Sequence, residues 1–238
     1  MRPDYGVDGY PFIVALLGGG SLALLSGALG LLGSRAPRLR AASMVALAAG
    51  ALAVAPGLLG LRYVRTGKLR HRDRILDCVI FRGDEQVLDV GTGGGLLMIE
   101  AAKRAPRGKA FGIDIWKAED LSGNTSERAL RNAQIEGVLD RVEVRTEDAR
   151  KMSFADETFD VIVAILCLHN IEGAAQRRAA LDEIVRVLKK GGVLLVSDLA
   201  HTDDYAETLR SKGLEVSSTP ALLDTFPFQR LVQAKKPE

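Results

Sequence analysis

At 238 residues, 47% of them hydrophobic and 26% charged, the chain has room for one large domain or for one domain and an appendage. Its net charge of +2 hides a split: residues 1–60 hold six of the 62 charged side chains and contribute +2, residues 61–74 contribute +5, and residues 75–238 carry −5. A mildly acidic C-terminal part is a poor match to a nucleic-acid backbone. The two cysteines, Cys78 and Cys167, lie in apolar runs without CxxC or metal-ligand spacing, so they read as buried free thiols with no metal site.

In chain order, residues 11–33 and 41–61 contain no charge, and each run is long enough at 1.5 Å per residue to cross a hydrocarbon core of about 30 Å. They predict two transmembrane helices. Gly18, Gly19 and Gly20 in the first and Ala55, Pro56 and Gly57 in the second suit close helix packing or a kink. A cleavable signal peptide or a buried soluble hairpin is the competing reading, and the length of the first run and the presence of a second weigh against it. Two spans put both termini on one side. Arg35, Arg38 and Arg40 lie in the connection, whereas Arg62, Arg65, Lys68, Arg70, Arg72 and Arg74 follow the second span. Positive-inside counting therefore places the C-terminal part in the cytoplasm, with residues 62–74 as a basic juxtamembrane linker lying on anionic headgroups.

Leu69, Ile75, Leu76, Val79 and Ile80 have helical spacing and predict a helix over 68–82. The run Val87-Leu88-Asp89-Val90-Gly91-Thr92-Gly93-Gly94-Gly95 then reads as a strand and a tight loop, with Leu96, Leu97, Ile99 and Ala102 marking the helix that follows. Residues 109–114 form a second strand ending in Asp114. Asn124 with Glu127 reads as a capping box for a helix that stops at Gly137. A short strand over 141–145, a nearly continuous apolar strand over 159–167, an amphipathic helix over 174–190 closed by Gly191-Gly192, a strand over 193–197 and a helix over 203–212 come next. Two last strands, 214–218 and 228–234, have no helix between them. Over 75–238 this alternation predicts an α/β domain: a doubly wound, mostly parallel seven-stranded sheet with an antiparallel C-terminal edge hairpin.

The glycine loop admits a dinucleotide, a nucleoside triphosphate or S-adenosylmethionine. The dinucleotide fingerprint wants a third glycine where Leu96 stands, and no Gly-Lys-Ser or Gly-Lys-Thr is present for a β-phosphate. An acid directly before the glycines, Asp89, suits a cationic ligand better than a pyrophosphate.

Taken with Asp114, Asp148, the run Phe159-Asp160-Val161-Ile162-Val163-Ala164-Ile165-Leu166-Cys167-Leu168-His169-Asn170-Ile171 and the closing Leu188-Lys189-Lys190-Gly191-Gly192-Val193-Leu194-Leu195-Val196, the loop resembles that of the class I S-adenosylmethionine-dependent methyltransferases. The resemblance covers 75 to about 236 and leaves the apolar hairpin outside it. It implies that Asp89 and the backbone of Gly91, Thr92, Gly93 and Gly95 hold the methionine part of the cofactor, and that Asp114 accepts hydrogen bonds from the ribose hydroxyls. Ile115 and Trp116 would cover the adenine, Asp148 and Ala149 would stand near its exocyclic amine, and Ile165 would border the same pocket. Two bland alternatives stay open, Asp114 as a loop cap and Trp116 as core. The segment 120–124 reads as a lid over cofactor or substrate.

Methyl transfer asks mainly for placement, because the sulfonium activates its own methyl group. A base is needed only where the acceptor must lose a proton. His169, just past the fourth strand, is the candidate for that role; its alternative is a structural histidine in the cofactor loop. Asn170 stands where the family often shows a second histidine. His71 and His201 read as solvated or capping residues. The expectation is a membrane-anchored methyltransferase acting on a small, hydrophobic, lipid-like or quinone-like acceptor. A non-catalytic S-adenosylmethionine-binding regulatory module tethered at the membrane is the alternative.

Overall fold

The computed structural model describes all 238 residues, and they form two compact units: Val7–Gly67, and Met1–Gly6 together with Lys68–Glu238.

The first unit is a helical hairpin, α1 (Tyr10–Gly33) and α2 (Pro37–Arg62), continued by a π-helical turn at Tyr63–Gly67. Its seam is made of small residues at seven-residue spacing: Gly20 and Gly27 on α1, Ser43, Gly50 and Gly57 on α2. A methyl group added at Gly20 would come within 3.0 Å of the Gly50 carbonyl oxygen, and one at Gly27 within 2.7 Å of the Ser43 carbonyl oxygen. Backbones approach that closely only where side chains are nearly absent. The large apolar side chains point the other way: Leu22, Leu25, Leu29, Leu32, Val45 and Leu52 are all exposed. Gly18 and Gly19 have open space around them, so of the glycine triplet only Gly20 serves the seam.

The second unit begins with α3 (Lys68–Leu76) and alternates β1 (Gln86–Val90), α4 (Leu96–Arg104), β2 (Lys109–Asp114), α5 (Ser126–Ile135), β3 (Val142–Thr146), β4 (Phe159–Ile165), α6 (Ala174–Val187), β5 (Leu188–Asp198), α7 (Thr202–Ser211), β6 (Glu215–Ser218) and β7 (Arg230–Lys235). The seven strands lie in the order β3-β2-β1-β4-β5-β7-β6, and β7 alone runs antiparallel to its neighbours. Strand side chains alternate between faces. Val87, Val161, Val163 and Leu195 meet α3, α4 and α5 on one face. Leu88, Ile162, Ala164, Leu194 and Val196 meet α6 and α7 on the other. The chain winds outward in one direction from β1 and in the other from β4, so the two strands part at their carboxyl ends and leave the crevice where ligands bind in such sheets.

Several element boundaries differ from expectation for local reasons. The helix after the hairpin ends at Leu76 rather than at residue 82, because Glu85 captures the backbone N–H groups of Arg82 (2.6 Å) and Gly83 (3.0 Å) in a turn. The sixth helix stops at Val187, and Leu188, Lys189 and Lys190 belong to β5. Leu188 pairs with Phe159 across a bulge, and Lys189 reaches Asp160 at 2.9 Å. Thr125, not Asn124, caps α5: its hydroxyl accepts from the Arg128 N–H at 3.3 Å, while Asn124 turns to Asp114. His71 is fully buried rather than solvated, because it lies four residues before Ile75 on the core-facing side of α3. Its Nε2 stands 2.7 Å from Ser197 Oγ, which in turn donates to Gln229 Oε1 at 3.0 Å, and burial pushes its pKa down to about 4. His201 is exposed at the N-cap position of α7, where its side chain makes no capping hydrogen bond. Cys78 and Cys167 are free and half-buried.

The basic run is helical, and part of its charge is used inside the protein. Lys68 is buried, donating to the carbonyls of Tyr5 (3.1 Å) and Gly6 (3.0 Å). Arg72 pairs with Asp73 and Glu100, and Arg74 with Asp224. Arg62, Arg65 and Arg70 remain exposed.

Candidate active site

The site is built where β1 runs into α4. Gly91, Gly93 and Gly95 have φ of +73°, +51° and +82°, values that side chains resist, so the loop turns tightly and faces the crevice with bare backbone. A methyl group at Gly91 would collide with the sulfur of Cys167, and one at Gly93 would come within 2.8 Å of Leu121. Beneath the loop lies Asp89, buried on the α4 face. Its Oδ2 accepts from the Thr92 hydroxyl and from the Met98 N–H, both at 2.9 Å, and its Oδ1 is buried without a partner. Burial raises its pKa to about 7, against the opposing pull of those two hydrogen bonds and with a smaller push from Asp114.

Asp114 ends β2 and faces the loop from the other side. Its Oδ2 accepts from the Gly93 N–H at 2.9 Å, and its Oδ1 from the Trp116 N–H at 2.7 Å and from Asn124 Nδ2 at 3.3 Å. Three of about four acceptor sites on this carboxylate are thus in use, which fixes its orientation and leaves capacity for a hydroxyl. Trp116 is half-exposed at φ +59°, its indole N–H donating to Thr146 Oγ1 at 2.8 Å, which is not a core position. Ile115 beside it is exposed. A tryptophan held in left-handed backbone beside an exposed isoleucine keeps an apolar wall open at the edge of the crevice. Leu166, immediately after β4, has φ +48°, so a second bulky residue in that conformation borders the same crevice. Leu121 packs over Gly93 and Asn124 bonds Asp114, which ties residues 121–124 down onto the loop. Asp148 lies further out, half-exposed and gripped by Arg150 at 2.5 to 3.0 Å; that pairing holds its pKa below the usual carboxylate range. Ala149 beside it is buried, and Ile165 closes β4 half-buried.

His169 sits in a short 3-10 turn (Leu168–Asn170) after β4. Its Nδ1 is 2.6 Å from Oδ1 of Asp198, the last residue of β5, and its backbone N–H donates to Asp198 Oδ2 at 3.0 Å. Asp198 escaped sequence reasoning, although a carboxylate closing an apolar strand at the ligand-bearing end of the sheet was a signal. Asp89, Asp114, Asp120 and Asp198 all act on Cys167, whose thiol is pushed well up, first by burial and then by these four carboxylates. The crevice is therefore lined with carboxylates, which suits a ligand carrying ammonium and sulfonium charges.

Met1–Gly6 belong to the α/β unit and not to the helical hairpin that follows them in the chain. Asn132 of α5 accepts from the Asp4 N–H at 2.9 Å and donates to the carbonyls of Asp4 (2.8 Å) and Gly94 (2.9 Å), and Arg128 pairs with Asp4 at 2.9 Å. A methyl group at Gly94 would lie 3.1 Å from the Tyr5 Cα, so the strap leans on the glycine loop. Asn132→Ala removes these three hydrogen bonds, one of them to the buried Gly94 carbonyl, and should lower the unfolding free energy by about 2 kcal/mol. A denaturation series on the purified full chain measures it, and an unchanged midpoint would show that the strap does not depend on Asn132.

The residues here fit S-adenosylmethionine: the unpartnered buried oxygen of Asp89 would accept a cationic group, the glycine cradle leaves room for a ligand against the backbone, and Asp114 retains acceptor capacity for a diol. The methyltransferase domain family matches residues 88–196, the stretch from β1 to β5. A sterol 4-C-methyltransferase of Caenorhabditis elegans is 36% identical over 118 residues, covering 50% of this chain and 32% of that protein. A ubiquinone/menaquinone biosynthesis C-methyltransferase of Roseobacter denitrificans is 29% identical over 135 residues, covering 57% and 50%. The chain thus spans half or less of the length of these curated relatives. Among solved structures, a SAM-dependent methyltransferase from Aquifex aeolicus superposes with a TM-score of 0.56 at 21% identity, covering 71% of this chain and 90% of that one. Strand order, glycine loop and family match agree: residues 88–196 form a methyltransferase domain on the fold of S-adenosylmethionine-dependent methyltransferases, and S-adenosylmethionine is the cofactor these matches imply.

Proposed function

We propose that this protein is a membrane-anchored methyltransferase that moves a methyl group from S-adenosylmethionine to a small hydrophobic acceptor by in-line displacement. In this reading Asp89 and the loop Gly91, Thr92, Gly93 and Gly95 hold the methionine part, and Asp114 the ribose. Ile115 and Trp116 flank the adenine, with Asp148, Ala149 and Ile165 completing the pocket, and His169 is the candidate base. Within residues 1–61 the helical hairpin is the anchor, 62–74 are the basic linker and 75–238 the catalytic domain, to which Met1–Gly6 also belong.

The observation that carries the anchor is the inverted packing of the hairpin. Gly20, Gly27, Ser43, Gly50 and Gly57 face inward while Leu22, Leu25, Leu29, Leu32 and Leu52 face outward, and 17% of each apolar window is buried. A soluble hairpin buries its leucines; one surrounded by lipid has no reason to, and packs through its small residues instead. The arginines after α2 favour a cytoplasmic catalytic domain, and Arg62, Arg65 and Arg70 are available to anionic headgroups. An anchored domain samples acceptors dissolved in the bilayer, which agrees with two relatives named for sterol and quinone substrates.

The test supplies radiolabelled S-adenosylmethionine to the purified full chain with membrane lipid extract or with soluble extract. Label in the lipid fraction is expected. Label confined to soluble metabolites or proteins would sink the hydrophobic acceptor, and recovery of the chain in the soluble fraction after alkaline washing would sink the anchor.

A further inference from the structure

The chain leaves the α/β unit at Gly6 and re-enters it at Lys68, and these two points are pinned together: Lys68 is buried and donates to the carbonyls of Tyr5 (3.1 Å) and Gly6 (3.0 Å). Both lie at the crevice. The Tyr5 Cα stands over Gly94, and a methyl group at Gly6 would meet Leu121, the residue that packs over Gly93. Only Val7, Asp8 and Gly9 separate the strap from Tyr10, the first residue of α1, a reach of at most about 14 Å. A hairpin that spans a bilayer is therefore rooted in the edge of the sheet that carries the glycine loop, and not in the opposite edge about 20 Å away. That same edge presents apolar side chains to solvent. β6 runs parallel to β5, so the β6–β7 connection lies at the carboxyl ends of the strands, where Asp198 pairs with Arg230. Leu222 bridges Gln229 and closes a loop with Leu223 (78% exposed) and Phe228 (56%) inside it, and Leu199 (44%) lies one residue beyond the Asp198–Arg230 pair. The carboxylates of Asp203 and Asp224 in this region are paired, the first with Arg230 at 2.7 Å and the second with Arg74 of α3 at 2.5 Å. A set of exposed apolar side chains with its neighbouring charges balanced is unlike an ordinary polar connection and marks a surface that meets something apolar. The opposite edge exposes Ile80 and Leu139 in two separate connections and carries no end of the hairpin.

We propose that the crevice-bearing edge of the sheet docks on the bilayer surface, with Leu199, Leu223 and Phe228 entering the headgroup region, so that the acceptor passes from lipid to crevice without crossing water. This rests on the hairpin being a membrane anchor, and it narrows the acceptor class. A crevice held at headgroup depth meets the polar ends of amphiphilic lipids and not the middle of their chains. The methylated atom therefore belongs to a polar group at the water-facing end of a lipid-soluble molecule. Burial of leucine and phenylalanine side chains favours the docked edge, and Arg62, Arg65 and Arg70, all exposed, follow the second span and attract anionic headgroups. Each contribution is modest, but the anchor has already brought the domain to the surface, so they need only select the edge that turns toward lipid.

Trp116 is the only tryptophan of the chain, so Trp116→Phe gives a background on which one tryptophan reports one position. Phe228→Trp and Ile80→Trp are each made on that background in the full chain, at exposed positions that leave the core intact. Both are reconstituted in vesicles of phosphatidylcholine and phosphatidylglycerol with and without a lipid carrying a nitroxide on its headgroup. The nitroxide is expected to remove most of the Phe228→Trp emission and to leave Ile80→Trp unchanged. In the same vesicles, loaded with membrane lipid extract, Leu223→Ser combined with Phe228→Ser should lower methyl transfer from tritiated S-adenosylmethionine about tenfold, the scale of one lost apolar side chain, with cofactor affinity unchanged. Equal quenching at both positions, or none at Phe228→Trp in a chain that resists alkaline washing, would overturn the docked edge and leave the anchor in place. Emission at Phe228→Trp that is shifted to shorter wavelength yet unquenched would overturn it as well, by showing a protein surface such as a second copy over these side chains. An unchanged transfer rate in the double serine variant would overturn the route from lipid to crevice. Release of the wild-type chain by alkaline washing would overturn the anchor itself, and the docked edge with it.

Discussion

S-Adenosylmethionine affinity is expected to fall about tenfold for each pH unit below about 6.5, with a proton released on binding at pH 6. The cause is Asp89. In the unliganded domain burial raises its pKa to about 7, so at pH 6 it is mostly protonated, and a ligand ammonium beside its unpartnered Oδ1 requires the ionised form. Binding must therefore expel the proton, at 1.36 kcal/mol per pH unit. Above about pH 7.7 the ligand's own α-amino group loses its charge, so affinity should peak between 7 and 8. Linkage has the matching sign for stability. An acid whose folded pKa is raised binds its proton more tightly when folded, so the unliganded domain loses stability as pH climbs from the ordinary carboxylate range to about 7. Cofactor should reverse that loss. Calorimetric titrations in two buffers of different ionisation enthalpy count the proton directly. Asp89→Asn should bind weakly at every pH and release none. Equal affinity at pH 5.5 and 7.5 in the wild-type protein would remove Asp89 from the ligand.

What the sequence made legible follows physical locality. The glycine loop could be read because tight turns at positive φ demand glycine, and the central strands because apolar runs of that length admit few alternatives. Leu188 misled because it continues a helical stripe and also suits a strand. Its pairing with Phe159, 29 residues away, decides the matter, and no local signal reports that pairing. Asn124 and Thr125 are both good caps, and the choice falls to Asp114, which claims the asparagine. Asp4 and Asn132 are 128 residues apart, so the strap was invisible until the chain was folded. His71 and Asp198 were different: each followed a pattern that was present, an i, i+4 partner of a core isoleucine and an acid ending an apolar strand.

Replacing Asp114 by Ala should weaken S-adenosylmethionine binding by about 1 to 3 kcal/mol, the usual effect of losing charge-assisted hydrogen bonds. That loss alone does not identify the ribose, because Asp114 also accepts from the Gly93 and Trp116 N–H groups and from Asn124, and the alanine variant loosens the loop as well. Nor does asparagine rescue it, since an amide group turned toward either backbone N–H sets donor against donor. A double comparison separates the two effects. S-Adenosylhomocysteine and its analogue lacking both ribose hydroxyls are titrated against wild type and Asp114→Ala. If the carboxylate holds the diol, wild type prefers the intact ligand and the variant loses most of that preference, a coupling of about 1 kcal/mol or more. If Asp114 only shapes the loop, both ligands lose affinity equally and the coupling vanishes, which would return this residue to the role of a cap.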